Sequence, residues 1–516
     1  MLSKYLLAMG GMVMGGAALT TDALSRPSTA PLACKYFKAS HPNITLVPSD
    51  AGYAAENEVS WNAGAWLGPA CILSPANAEQ MSSVVKTLVR FATPFAMRGG
   101  GHMTVSDAAN INSTGVLISS TNLKTLELSE DHSTVSVGPG PRWGDVYIYL
   151  DETKSGKMVV GGRYAPVGIP GLLLGGGMAF FSGEYGFAST NGNVQAFECV
   201  LANGKIVEAT ASNQYSDLFW ALQGGGNSFC IVTKFVLRTF DSPAVGLANP
   251  SYGYGSDVKD KWLDSILNYV IGGSSDPKAA IIPVARFGTG FEDIRYDATL
   301  FHNSVNNSKP AILGDFQGGL LPSSNTTSLT TLTMGTFAKA VLPAFQEGGE
   351  SHGLNQRFHV VSTVATREAM DIVHDTFFDA IKAEGLAELN DFFVGLAWNS
   401  ITTSFLEASN SGTGCPQGVV EEPLFWVEQA FTWGDSADNE KIDNLIKTVN
   451  ANITAQLEAI DATSPYIYLN DADGDQPVFQ GYPAENLKRL QQIRAKYDPL
   501  KIYTNLMPGG FKVAHA

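Results

Sequence analysis

The chain has 516 residues, 44% hydrophobic and 16% charged, with 53 glycines. This balance excludes a disordered chain and supplies apolar surface for more than one core. A formal charge of −16 argues against nucleic acid or an anionic membrane as partner, because both repel an acidic surface, and favours a small molecule.

In chain order, Lys4 precedes an apolar, small-residue stretch to about Leu19 and then Thr20-Thr21-Asp22. Residues 1–20 therefore read as a secretory signal, too short to span a membrane, with cleavage expected between Ala18 and Ser25. On that route the five sequons at Asn43, Asn112, Asn306, Asn325 and Asn452 become glycan acceptors. From about residue 34 to 240, short apolar strands over 116–119, 134–137 and 197–201 alternate with turns and with helices over 77–91 and 143–152, an α+β pattern. Pro139-Gly140-Pro141 separates a strand from the helix after it. From 241 to 464 the texture changes. Longer helices are predicted over 256–271 and 367–384, strands over 280–286 and 357–363, and a Ser/Thr/Asn-rich surface loop over 303–331. No internal repeat is present. Cys199 and Cys230 lie in strand-like segments and read as buried thiols, while Cys415 reads as a free thiol in a Gly/Ser-rich loop. The histidines and cysteines show no H-x-x-x-H or C-x-x-C spacing, so no metal is expected.

Three glycine runs carry the chemical signal. Arg98-Gly99-Gly100-Gly101-His102 joins a cation and an imidazole to backbone that can approach an anion closely. Gly168-Ile169-Pro170-Gly171 leads to Gly175-Gly176-Gly177, and a short helix from Asp217 ends in Gly224-Gly225-Gly226 before an apolar strand through Ile231 and Val232. A Rossmann turn is excluded at Gly175-Gly176-Gly177: the G-x-G-x-x-G spacing is missing, proline interrupts the preceding run, and no ribose-binding acid follows. No Walker lysine motif occurs.

In this order, and with Tyr482-Pro-Ala-Glu-Asn-Leu-Lys-Arg-Leu490 through Lys496-Tyr-Asp-Pro499 near the end, the chain resembles the FAD-linked oxidases of the vanillyl-alcohol oxidase superfamily. The resemblance is to the berberine-bridge-enzyme-like group with its PCMH-type FAD domain. It implies a two-subdomain FAD-binding domain over 34–240, an α+β substrate domain over 241–464 whose antiparallel sheet roofs the flavin, and a segment over 465–516 returning to the FAD domain. It also supports a Cys34–Cys71 bridge, which an oxidising compartment favours.

The resemblance places the single covalent link to FAD on His102. The position of a second, cysteinyl link in many relatives is Tyr164, in Tyr164-Ala-Pro-Val-Gly168, and a phenol does not replace a thiolate there. Arg98, Gly99, Gly100, Gly101, Gly140, Gly168, Gly175, Gly176, Gly177, Gly225 and Gly226 are candidates for lining the cofactor, as are Ile231 and Val232 through their backbone. Tyr466-Ile-Tyr-Leu-Asn-Asp471 resembles the family's Tyr-x-Asn-Tyr element. Tyr468 and Asn470 match its first tyrosine and asparagine, and Asp471 stands at the tyrosine that serves as base near flavin N5. Asp471, a carboxylate ionised at neutral pH, and Tyr468 are the two candidate bases. The expected activity is oxidation of a small organic, specialised-metabolite substrate, with hydride passing to FAD and then to O2, by a secreted monomer. Sugar or alcohol oxidation, a non-redox cyclisation or isomerisation, and flavin binding without turnover are the alternatives.

Overall fold

The computed structural model describes residues 28–516 except 324, 347 and 348, so the predicted leader lies outside the described residues. Asn77 caps the first long helix, α1 (Ala78–Phe91), its side chain accepting from Gln80 N–H, which satisfies one free donor of the first turn. Met81, Val84, Val85 and Leu88 recur at helical spacing and are buried. They pack beneath a four-stranded sheet that includes the parallel pair β1 (Phe95–Arg98) and β2 (Val116–Ser119). Cys34, on the helix Ala30–Ser40, is bridged to Cys71 on the strand Cys71–Leu73 of the same sheet.

A five-stranded antiparallel sheet follows, with helix α2 (Trp143–Glu152) and central strands β3 (Val194–Val200) and β4 (Ile231–Arg238). Cys199 and Cys230, expected as buried thiols, are instead paired as a second disulfide. Antiparallel neighbours bring their Cα atoms to 5.8 Å, inside the range a bridge requires. Cys415 is free and buried.

The largest sheet has eight strands, all antiparallel. Helix α3 (Ser256–Gly272) precedes β5 (Ala279–Gly288); then come β6 (Asn355–Val364), α4 (Arg367–Ala383), β7 (Phe393–Ile401), β8 (Leu424–Trp433) and α5 (Asn439–Ala459). In space β5, β7, β8 and β6 are successive neighbours, with β6 at the edge. One face packs on the helices: Val394, Leu396 and Trp398 of β7 and Phe425, Val427 and Phe431 of β8 join Phe377 of α4 and Ile446 of α5 in one core. Because side chains alternate along a strand, the intervening residues point the other way, over the first two sheets. The Gln476 amide bonds Val360 on both its N–H (3.0 Å) and its carbonyl (2.8 Å), which closes the β6 edge against further pairing. The segment over 303–331, expected to be surface loop, is exposed only in part. Leu313, Phe316, Leu321 and Leu329 enter the helix-side core, and these four apolar residues are what its polar composition concealed.

Candidate active site

A six-residue helix, Ile169–Leu174, is the hub at which the separated motifs meet. Gly100 and Gly168 touch backbone to backbone: a Cβ on Gly100 would lie 2.4 Å from Gly168 Cα, and one on Gly99 2.4 Å from Pro170 Cγ. Only residues without side chains permit that approach. At the other end of the hub, Gly175 abuts the Asn470 amide, Gly176 the Gln417 amide and Gly177 the Ala188 methyl. Asn470 donates to Leu172 O at 3.1 Å, and Gly226 N–H to Leu174 O at 3.0 Å. Gly225 closes on the Ala221 carbonyl and Gly140 on the Ser120 carbonyl. Ile231 and Val232 are buried at the start of β4, opposite Val200 and Cys199. What most of these glycines permit is therefore the close approach of protein to protein around one short helix.

His102 leaves this floor at a strap formed by residues 59–66. Trp61 N–H donates to Gly101 O at 2.9 Å, Asn62 Nδ2 to Thr104 O at 2.7 Å, and Gln356 N–H of β6 to Asn62 Oδ1 at 3.1 Å. The strap thus ties the histidine loop to the large sheet. The imidazole stacks on the Trp61 indole, with centroids 4.4 Å apart and planes 13° from parallel, and meets Phe345 edge-on. Its Nδ1 is buried and has no hydrogen-bond partner. Burial, helped by the nearby Arg142 charge, lowers its pKa to about 3, so the ring is neutral.

Arg98, expected to face a phosphate, does not. It is fully buried, with its guanidinium held by the Glu56 carboxylate, by Glu56 O at 2.7 Å and by Ser119 Oγ at 3.1 Å. Burial lowers its pKa to about 10. The cation beside the loop is Arg142, whose Cγ lies 3.5 Å from where a Gly100 Cβ would be; its Nη2 donates to Val59 O at 3.3 Å.

Above the floor, the large sheet presents Arg286 and Val284 of β5, Gly395, Ala397 and Asn399 of β7, Glu428 of β8 and Val360 of β6. Asp471, in a short 3-10 turn at Leu469–Asp471, rises to meet them. Arg163 Nη2 donates to Asn399 Oδ1 at 2.8 Å, and Asn399 Nδ2 to Asp471 Oδ2 at 3.4 Å. Asp471 was expected to be ionised at neutral pH. Burial and then the Glu428 charge push its pKa well above the ordinary carboxylate range, against Arg163. Glu428 is raised by burial too, but Arg163 and Arg286 both draw it down. Burial raises both carboxyls, Asp471 the further, and the two titrate as a pair. Tyr468 is buried, and its hydroxyl accepts from Met178 N–H at 2.8 Å and from Asn470 Nδ2 at 2.9 Å. Burial raises its pKa further. It braces the hub and is poorly suited to take a proton.

Residues 69–210 match the FAD binding domain family and residues 467–506 the berberine and berberine-like family. FAD-dependent monooxygenase prx3 of Penicillium roqueforti is 31% identical over 495 residues, covering 94% of each chain. The chain belongs to the berberine-bridge-enzyme-like FAD-linked oxidoreductases. Bifunctional solanapyrone synthase of Alternaria solani is 30% identical over 485 residues, covering 93% of this chain and 89% of the relative. Among solved structures, Physcomitrella patens BBE-like 1 superposes with TM-score 0.74 at 18% identity, covering 94% of this chain and 100% of the other. Xylooligosaccharide oxidase from Myceliophthora thermophila C1 gives 0.74 at 18%, covering 93% and 99%. These two matches establish the PCMH-type fold.

The residues present suit FAD: a neutral imidazole with an unpartnered buried nitrogen stands beyond the glycine loop, and Arg142 beside it can offset phosphate charge. Tyr164, 42% exposed, meets the same Phe345 edge-on. The sequence reading missed Trp61, Arg142, Arg163, Asn399 and Glu428. Glu428 was detectable as the one charged residue in Leu-Phe-Trp-Val-Glu-Gln-Ala-Phe-Thr-Trp433; the others carry no local signal that marks them.

Proposed function

We propose that the chain is a secreted oxidase that removes a hydride and a proton, two electrons and two protons in all, from a small apolar specialised metabolite, using FAD held by one covalent link through His102. When bound, FAD supplies two-electron acceptance from the substrate and passes the electrons to O2, giving H2O2. The floor up to Arg238 would hold the cofactor, with His102 and Arg142 among the residues that hold it. The large sheet receives the substrate. Glu428 takes the proton from the substrate hydroxyl or activated C–H, and Asp471, already protonated, stabilises the developing negative charge by donating a hydrogen bond. Arg163, through Asn399, orients Asp471.

The observation that carries this reading is the Asp471–Glu428 pair facing the floor that bears His102. The apolar substrate class is supported by what surrounds Glu428. Its cross-strand neighbours on the same face are Ala397 and Val360, with Val284 beyond Ala397. Of the polar groups on this face, Thr432 donates to Gln356 at 2.6 Å and Arg286 pairs with Asp297 at 3.2 Å, while Gln356 Nε2 and Ser362 Oγ are left for a polar group of the substrate. Secretion is supported by the two disulfides. Among the described residues, no helix is long and apolar enough to cross a membrane.

Anaerobic screening of the purified protein tests the reading. Apolar phenols and alcohols are expected to bleach the flavin absorbance, xylo- and chito-oligosaccharides are not, and air is expected to restore the colour with release of H2O2. Turnover without bleaching would instead establish a non-redox enzyme, and bleaching by oligosaccharides alone would overturn the substrate class.

A further inference from the structure

We infer that Trp61 is the positioning residue for attachment of the cofactor to His102, holding the imidazole in the plane from which its nitrogen forms the bond. The inference rests on the covalent reading above and adds a residue to which that reading gives no role.

His102 follows three glycines, and Gly101 has φ +69, so the loop that carries the ring has backbone freedom to lose. Two contacts remove it. The Trp61 N–H to Gly101 O bond fixes the base of the side chain, and the indole lies flat against the imidazole at 4.4 Å and 13°. Phe345 and Phe358 pack on the indole at 6.0 and 5.9 Å, and Trp61 is only 8% exposed, so the platform is itself immobile. The indole Nε1 is buried and has no partner. The ring therefore sits there without a hydrogen bond of its own, and what it offers the site is its flat face. His102 Nδ1 is likewise buried and unpartnered, and the stacking sets the direction in which it points.

Bond formation joins an imidazole nitrogen to a methyl carbon on the benzenoid ring of FAD. One hydrogen leaves that methyl and one leaves the imidazole N–H; the accompanying two electrons pass to the isoalloxazine ring and from there to O2, which becomes H2O2. No substrate is consumed, so the step depends on alignment of the two reacting atoms, and a ring free to rotate about χ1 and χ2 reaches that alignment less often.

The test compares wild type, Trp61→Phe and Trp61→Leu, each purified as the full-length protein. Phenylalanine keeps a flat face, and leucine keeps apolar bulk without one. Three quantities are read: total FAD, the fraction remaining on the His102 peptide after acid precipitation, and the thermal midpoint. In W61L the midpoint is expected to fall somewhat, as for any large-to-small change at a buried site, while the FAD that does bind becomes attached, followed over time after adding FAD in air, roughly tenfold more slowly. W61F is expected to recover most of the rate. Attachment in W61L at the wild-type rate overturns the inference. So does a parallel fall of total FAD, midpoint and attachment in both variants, which would mark Trp61 as a core residue. Wild-type protein that binds FAD but releases all of it in acid overturns the covalent reading itself and, with it, this inference.

Discussion

The two surfaces that enclose the site are made differently, and each controls a different property. The floor is built on glycine backbone around the helix Ile169–Leu174: Gly100 and Gly168 bring main chain to main chain, Gly99 and Gly175 seat the Pro170 ring and the Asn470 amide, and Gly226 N–H donates to Leu174 O. The sheet above it is side chains, with Arg163, Asn399, Glu428 and Asp471 forming one charged and hydrogen-bonded group. A floor of backbone holds one cofactor in one way, whereas single substitutions on a sheet face can change substrate and chemistry without disturbing the fold. Changes above should therefore cost rate and leave FAD in place; changes below should cost stability and FAD together.

The largest effect is expected above. Glu428→Gln keeps the size of the side chain and removes its charge, and should lower kcat roughly 10²–10⁴-fold with FAD content and thermal midpoint unchanged. The pH profile sharpens the test. The base must be deprotonated, so kcat/KM should rise with pH through a midpoint above the ordinary carboxylate range, since burial raises both carboxyls. In Asp471→Asn a neutral amide replaces a carboxyl that, on the proposed assignment, is already neutral when Glu428 ionises, so that midpoint should stay in place while kcat falls. A midpoint that moves to lower pH would mean that Asp471 carries the charge in the wild type.

The next effect is expected below. Glu56→Gln leaves the fully buried Arg98 without its counter-charge, and breaking such a pair costs about 3–5 kcal/mol. Denaturant unfolding should register that loss, and FAD content should fall with it. Gly100→Ala sets a methyl 2.4 Å from Gly168 Cα. The cost is expected at roughly 1–3 kcal/mol, again with loss of FAD. Either variant retaining full stability while losing only kcat would break the distinction between the two surfaces.

The same contrast explains what could be read from the sequence. Glycine runs, the Asn77 cap and the helical spacing of Met81, Val84, Val85 and Leu88 are local, and the floor follows from them. The order of motifs was legible for that reason. The upper group is not local: Arg163 lies 236 residues from Asn399, and Asn399 lies 72 from Asp471. Only strand register brings Glu428 opposite Ala397 and Val360. The ionisation of Asp471 was misread because composition shows an acidic stretch and not the burial or the second carboxylate that raise its pKa. Cys199 and Cys230 were misread for the same reason, since nothing in the sequence states that β3 and β4 are neighbours.

The last effect is pH-dependent and concerns a buttress of the floor. Lys512 is 3% exposed and donates to Asn227 Oδ1 at 2.7 Å, one residue beyond Gly225-Gly226. Burial lowers its pKa to about 7 from 10.5, with Asp498 opposing the shift. Between those values the unfolded chain binds a proton that the folded chain does not. Stability should therefore rise as pH increases from 7 toward 10.5, by at most about 1.4 kcal/mol per pH unit, and the full penalty is present below pH 7. Lys512→Met removes the titrating group. Its unfolding free energy should exceed that of wild type at pH 7, and the difference should shrink by pH 9. A difference that stays constant with pH would mean that Lys512 supports the third glycine run through its bond to Asn227, with no contribution from its charge.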